Sequence, residues 1–276
     1  MTARTRLIIN ADDFGLTPAV SAGILEAHHA GSVTSTSMMV HCPGWDDGIR
    51  QSQTAPALGI GLHLNLLVGS PLTAATSLTN RSAGTFASLG DIVRRALSFR
   101  LDAAEIEAEC EAQLQALRDA GITPTHIDSH RHTHALPVIR SAVVRVAARH
   151  RLPLRRPVES HRRFANDVLS QLHRAVIAAA WRVTSIGETR TAAPDHFIGV
   201  SMQGGEQFAA QLAVVLDALP AGSAEMMVHP GRVDDALRTV DGYTWQRERE
   251  LAALTLSAVR ARLARGDIAL IRFSDL

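Results

Sequence analysis

The chain has 276 residues, of which 46% are hydrophobic, enough for one large α/β domain or two small ones around a packed core. A formal net charge of +1 sets up no field that would draw nucleic acid or an anionic membrane, and the absence of lysine removes Schiff-base chemistry by that side chain. Cys42 and Cys110 lie far apart and form no CxxC pair, no run reaches about 18 apolar residues, and the start leads directly into a strand-like segment. These features predict a soluble cytoplasmic protein with reduced thiols and no transmembrane segment.

In chain order, residues 6–10 form a short β-branched apolar run that reads as a buried parallel strand and ends in Ala11-Asp12-Asp13-Phe14-Gly15. Thr17-Pro18 opens a helix to about Ala30, and because Thr17 fills the cap position the two aspartates are left for other work. A turn and a second strand follow over residues 31–40, a helix over 45–53, and a third strand over 58–66 that carries His63 inside an apolar alternation. Residues 69–90 lack periodicity and read as a long loop bordering the site. Residues 101–120 form a helix on which Glu105, Glu107, Glu109 and Glu111 read as a solvated charge face.

The densest signal is His126-Ile127-Asp128-Ser129-His130-Arg131-His132-Thr133-His134. Were the whole stretch extended, His126, Asp128, His130, His132 and His134 would share one face as a comb of imidazoles and a carboxylate, the ligand set of zinc and its neighbours. A helix over 137–150 follows, then a short extended segment in which Arg155 or Arg156 could reach substrate, although surface arginines are common. Residues 166–184 read as helical, 194–200 as a strand with Asp195 and His196 at its mouth, and 208–219 as a helix. Residues 224–231 read as a strand ending in His229-Pro230-Gly231, residues 245–264 as the last helix and 268–273 as the last strand. No linker divides the chain, so the expectation is a single domain over residues 1–276. Strands alternating with helices imply an α/β fold with a parallel sheet, an irregular or partial (β/α) barrel with a metal site at the C-terminal ends of its strands.

The motifs Asn10-Ala11-Asp12-Asp13-Phe14-Gly15, Val33-Thr34-Ser35-Thr36, Gly61-Leu62-His63, His126-Ile127-Asp128-Ser129-His130 and His229-Pro230-Gly231, in this order, resemble the YdjC-like carbohydrate deacetylase family. That family includes chitooligosaccharide deacetylases and hopanoid-associated deacetylases. The resemblance implies an irregular (β/α) barrel, one divalent metal ion (Mg2+ or Zn2+) and removal of an N-acetyl group from an amino sugar or glycolipid. By matching motifs, Asp13, His63 and His130 become the metal ligands, Asp12 the base and His229 the acid; beside these, and not by motif, Asp128, His132, His134, Asp195 and Arg156 are candidate substrate contacts. Amide hydrolysis needs an activated water, a sink for the tetrahedral oxyanion and a proton for the leaving amine, and these residue types can supply all three. Two other readings stand beside it. One is a phosphoesterase or amidohydrolase on the same barrel, with His126, Asp128, His132 and His134 feeding a second metal. The other is a carbohydrate-binding protein without turnover, against which an Asp12–His229 acid–base pair argues. The partner is a small molecule rather than nucleic acid, and a homo-oligomer stays open.

Overall fold

The structure is a computed structural model that describes residues 5–80, 82–159, 168–184, 191–203 and 205–276. Its centre is β1 (Thr5–Phe14), which pairs in parallel with β2 (Ser35–Met38) and β6 (Gly222–Val228), and over its first residues with β7 (Ile268–Leu270). β3 (Gly59–Leu64) and β4 (Ile127–Ser129) extend the sheet beyond β2, and β5 (His196–Ile198) extends it beyond β6, giving the order β4-β3-β2-β1-β6-β5. The result is a parallel sheet curled into a partial barrel with helices outside. The two ends of the sheet are joined through residues 154–159, by single parallel bridges from Ile127 to Leu154 and from Glu159 to Phe197.

Along β1 the period of two sorts side chains between two interiors. Leu7, Ile9 and Ala11 join the apolar core under the helices, whereas Asn10 and Asp12 face the barrel lumen and hydrogen-bond there with Ser37 of β2. The outer layer is formed by α1 (Pro18–His29), α2 (Trp45–Ser52), α3 (Leu89–Leu97), α4 (Ala103–Asp119), α5 (Ile139–His150), α6 (Val168–Thr184), α7 (Phe208–Asp217), α8 (Asp235–Val240), α9 (Trp245–Leu254) and α10 (Ser257–Leu263). Thr17 caps α1 as its sequence predicts, its hydroxyl accepting from the Val20 N–H ahead of Pro18.

Several element expectations are corrected. The single helix over 245–264 is two: Leu256 is extended, with φ −59° and ψ 134°, and breaks the run just after Thr255, whose hydroxyl donates back to the Leu251 and Ala252 carbonyls. The expected start of α6 at Asn166 lies outside the described residues. Among the described residues, none of the stretch 69–90 lines the cavity described below; it packs on α4 and gives way to α3. Glu109 is not solvated: it is fully buried and accepts from the Leu72 and Thr73 N–H groups, the Thr73 hydroxyl and Gln113.

Candidate active site

Adjacent residues on a strand normally point to opposite faces, yet Asp12 and Asp13 both reach the cavity. The backbone explains this. The β1–β2 register shifts between Ala11 and Phe14, and Asp13 has φ 73°, a left-handed conformation that turns its carboxylate back to the side Asp12 already faces.

Three strand ends then converge. Oδ1 of Asp13 lies 3.2 Å from Nε2 of His63 on β3 and 2.9 Å from Nδ1 of His130, the first residue beyond β4. His63 is oriented from behind: its Nδ1 lies 2.6 Å from Oδ1 of Asp128, which sits opposite it in the β3–β4 register. With the Nδ1 proton donated to that carboxylate, Nε2 is the nitrogen turned toward Asp13, and its lone pair becomes available to a cation once it sheds its proton. One carboxylate oxygen and two imidazole nitrogens within 4.8 Å of one another are a donor set that fits a divalent cation, and the Asp128 support is the arrangement that such histidine ligands commonly have. Asp12, His63 and Asp128 also approach within 4.8 Å. There, however, a cation is already present: the fully buried Arg155 donates through Nη1 and Nη2 to both oxygens of Asp12 at 2.6 Å, and Nη2 lies 2.8 Å from Asp128.

Electrostatics follow from these pairings. Burial raises Asp13, but Arg247 and His130 outweigh it and hold the carboxyl well below its usual range. Burial likewise opposes ionisation of Asp12, and the Arg155 guanidinium reverses the balance, so Asp12 stays lowered and ionised. For His63 burial disfavours the charge, yet Asp128 and Asp12 carry the imidazole up to about 10. His126 and His134 go the other way, to about 3, mainly through burial, and burial also keeps His132 well below its ordinary value.

The cluster opens into a cavity of about 100 Å³. Asp12, Asp13, His63 and His130 form one wall; Arg131, His132, Gln203, His229, Tyr243 and Arg247 form much of the rest. His229 stands just past β6, its Nε2 3.9 Å from Asp12 Oδ2 and 3.2 Å from the Gln203 amide nitrogen. Its backbone N–H donates to Glu250, which also accepts from the Tyr243 hydroxyl.

Of the residues singled out from the sequence, Asp12, Asp13, His63, His130, His132 and His229 meet at this cavity. The others assigned to substrate do not. Asp128 is fully buried behind His63, and His134 is fully buried between the Ser129 hydroxyl and the Arg155 carbonyl. Asp195 accepts from the Ser223 N–H and hydroxyl at the opposite, N-terminal end of β6, and Arg156 is an exposed neighbour that acts on Asp195. The histidine comb is also corrected. β4 ends at Ser129, and Arg131 and His132 adopt left-handed φ values of 56° and 53° in a tight turn. That turn sends His132 to the cavity and His134 into the core, while His126 stacks 3.8 Å from the Phe273 ring.

From the sequence, Arg155 or Arg156 could reach substrate, with a surface place the commoner case for either, and nothing marks Arg247, Glu225, Asp241, Gln203 or Tyr243. Arg155 had one signal: it directly follows Leu152-Pro153-Leu154, a segment apolar enough to be buried. Arg247 lies in a helix crowded with charges, where nothing local separates it from its exposed neighbours.

A parallel sheet curled into a partial (β/α) barrel, with one histidine–aspartate cluster at the C-terminal strand ends, defines the class of protein. Within it, the chain belongs to the YdjC-like protein family, which matches residues 6–265. A carbohydrate deacetylase of Brevibacillus brevis is 33% identical over 273 residues, covering 98% of this chain and 99% of the relative. One from Geobacillus stearothermophilus is 34% identical over 269 residues, covering 97% and 96%. Among solved structures, a protein of Enterococcus faecalis V583, described as a proposed cellobiose-phosphate cleavage protein, superposes with a TM-score of 0.77 at 26% identity and 99% coverage of both chains.

Proposed function

We propose that this chain is a metal-dependent carbohydrate deacetylase, a single-domain hydrolase that removes the N-acetyl group of an amino sugar, carried on an oligosaccharide or a glycolipid, and releases acetate. The observation that carries the reading is the convergence of Asp13, His63 and His130 beside Asp12, with His229 across the same small cavity. The relatives named carbohydrate deacetylase support the substrate class. The two free, buried cysteines suit a reducing cytoplasm, and among the described residues no helix is long and apolar enough to cross a membrane.

Asp13, His63 and His130 would hold the cation, Mg2+ or Zn2+. When bound, it supplies Lewis acidity to the acyl carbonyl and to the attacking water. Asp12 accepts the proton of that water as the oxygen adds to the acyl carbon. Arg155 keeps Asp12 ionised and fixes both its oxygens, which aims the base at some cost in basicity. His229 then gives a proton to the sugar nitrogen as the C–N bond breaks, and the acyl carbon leaves as acetate. Gln203 and Tyr243 flank His229 and limit how its ring can turn.

The two-metal reading is disfavoured by Arg155, which already occupies the carboxylates a second ion would need. The test is acetate release from N-acetylglucosamine oligomers and N-acetylglucosaminyl lipids by chelated and by metal-replete protein. Acetate only from the replete protein supports the proposal. Phosphate release from phosphate esters, with no acetate from any amino sugar, would replace it with the phosphoesterase reading.

A further inference from the structure

Arg247 has no place in the reaction as described, yet its side chain is held at several points beside the cluster. It is fully buried, and its Nη2 donates to Oδ2 of Asp13 at 2.6 Å and to Oδ2 of Asp241 at 2.8 Å. Its Nε donates to the Tyr243 carbonyl at 2.8 Å. The stem lies against Gly231, where an added Cβ would come within 3.2 Å of Arg247 Cδ, so the glycine of the His-Pro-Gly motif is the residue that leaves room for it. Asp241 is in turn held from the other side by Arg131 at 2.7 Å. All of this fixes the guanidinium on one oxygen of Asp13, whereas the other oxygen faces His63 and His130.

A carboxylate can bind a cation through one oxygen or through both. We propose that Arg247 is a positioning residue that withholds Oδ2 of Asp13, so that Asp13 offers a cation Oδ1 alone and a coordination position stays free for water or substrate. The inference rests on the metal reading above. It differs from a merely supportive role in the sign of its consequences. Loss of support weakens binding of a cation, whereas release of a second carboxylate oxygen adds a donor.

The probe is Co2+ alone, followed by its visible absorption and by calorimetric titration of wild type, Arg247→Met and the paired variant Arg247→Met with Asp241→Asn. The paired variant removes one positive and one negative group together, so it separates denticity from net charge. Both variants are expected to bind Co2+ at least as tightly as wild type, with weaker d–d bands as the coordination number rises, and to lose ~10–100-fold in kcat. Spectra superimposable on wild type, or Co2+ affinity lowered ~10–100-fold without a spectral change, would overturn the proposal. Should Arg247→Met fail to fold, Asp241→Asn alone keeps the guanidinium but loosens its anchor: a shifted spectrum supports the role of Arg247 and an unshifted one removes it. Wild-type protein that takes up no Co2+ overturns the metal reading and this inference with it. Wild-type protein that takes up Co2+ but releases no acetate overturns the deacetylase proposal, and the spectra still decide the role of Arg247.

Discussion

Asp12 and His229 sit 3.9 Å apart at the closest ring nitrogen, and in the proposed reaction they divide the proton traffic. Asp12→Asn preserves size and can still accept hydrogen bonds from Arg155, but it cannot take the proton of water. We expect kcat to fall ~10²–10⁴-fold with metal content unchanged, checked by steady-state acetate release and elemental analysis. His229→Ala should also retain metal, and its defect should shrink on substrates with a better leaving group, because protonating nitrogen then matters less. Activity within about threefold of wild type on a saturating amino-sugar substrate would reduce His229 to a strand-end residue. The residue types at this site were legible in the sequence because ordered motifs marked them. Their mutual geometry was not. Whether Asp12 and Asp13 can share a cavity depends on one backbone angle at Asp13, and the burial of Arg155 depends on carboxylates contributed by three different strands.

Strand and helix order was readable from the alternation of short β-branched runs with amphipathic stretches, since each period reports a buried face. The histidine stretch shows where that reasoning fails. Alternation in sequence implies a comb only if the strand continues, and β4 stops after three residues because the chain turns through two left-handed positions. Close backbone approach is another property no periodicity reveals. α1 crosses the segment after β6 at Gly23, where a Cβ would lie 2.6 Å from the Gly231 Cα, backbone against backbone. Gly23→Ala is therefore expected to cost ~1–3 kcal/mol despite the better helix propensity of alanine. Thermal unfolding followed by circular dichroism should show a lowered Tm, and an unchanged or raised Tm would mean that α1 can shift aside.

At the scale of the molecule, the barrel lumen is a buried ionic assembly whose proton uptake couples to folding. His63 is raised to about 10 from 6.5, so in chelated protein its contribution is fully present below pH 6.5 and is lost as pH climbs through 10. Glu225, pushed up to about 7 from 4.5 by burial that Arg155 only partly offsets, has the same sign in an earlier window: stability declines as it is forced to ionise between about pH 4.5 and 7. Asp12 and Asp13, both lowered from 3.8, act oppositely, and their stabilisation fades only as pH falls below that value. Chelated protein should thus lose stability in two stages on the alkaline side of about pH 4.5. A bound cation requires neutral His63 and should flatten the upper stage, because the loaded state holds no proton there to lose. Denaturant midpoints measured across pH with and without metal test this; an upper stage equal in both forms would count against cation binding at His63.

The seam between β4 and β5 has a kinetic consequence. Elsewhere neighbouring strands are held by ladders of several paired residues, whereas here two single bridges hold residues 154–159 and much of the hold is through side chains: Glu159 accepts from Gly199 and Ser201, and Arg155 is fastened to Asp12, Asp128 and Glu225. Opening the seam would strand three carboxylates in a space with little water, so the seam breathes rarely while the guanidinium is present. Arg155→Met should turn it into the first part of the barrel to open. In native-state hydrogen exchange the Leu154 and Arg155 amides, which donate to Ala192 and Ile127, should lose protection well ahead of the β1–β6 amides. Equal loss in both places would mean that this sheet opens only as a whole.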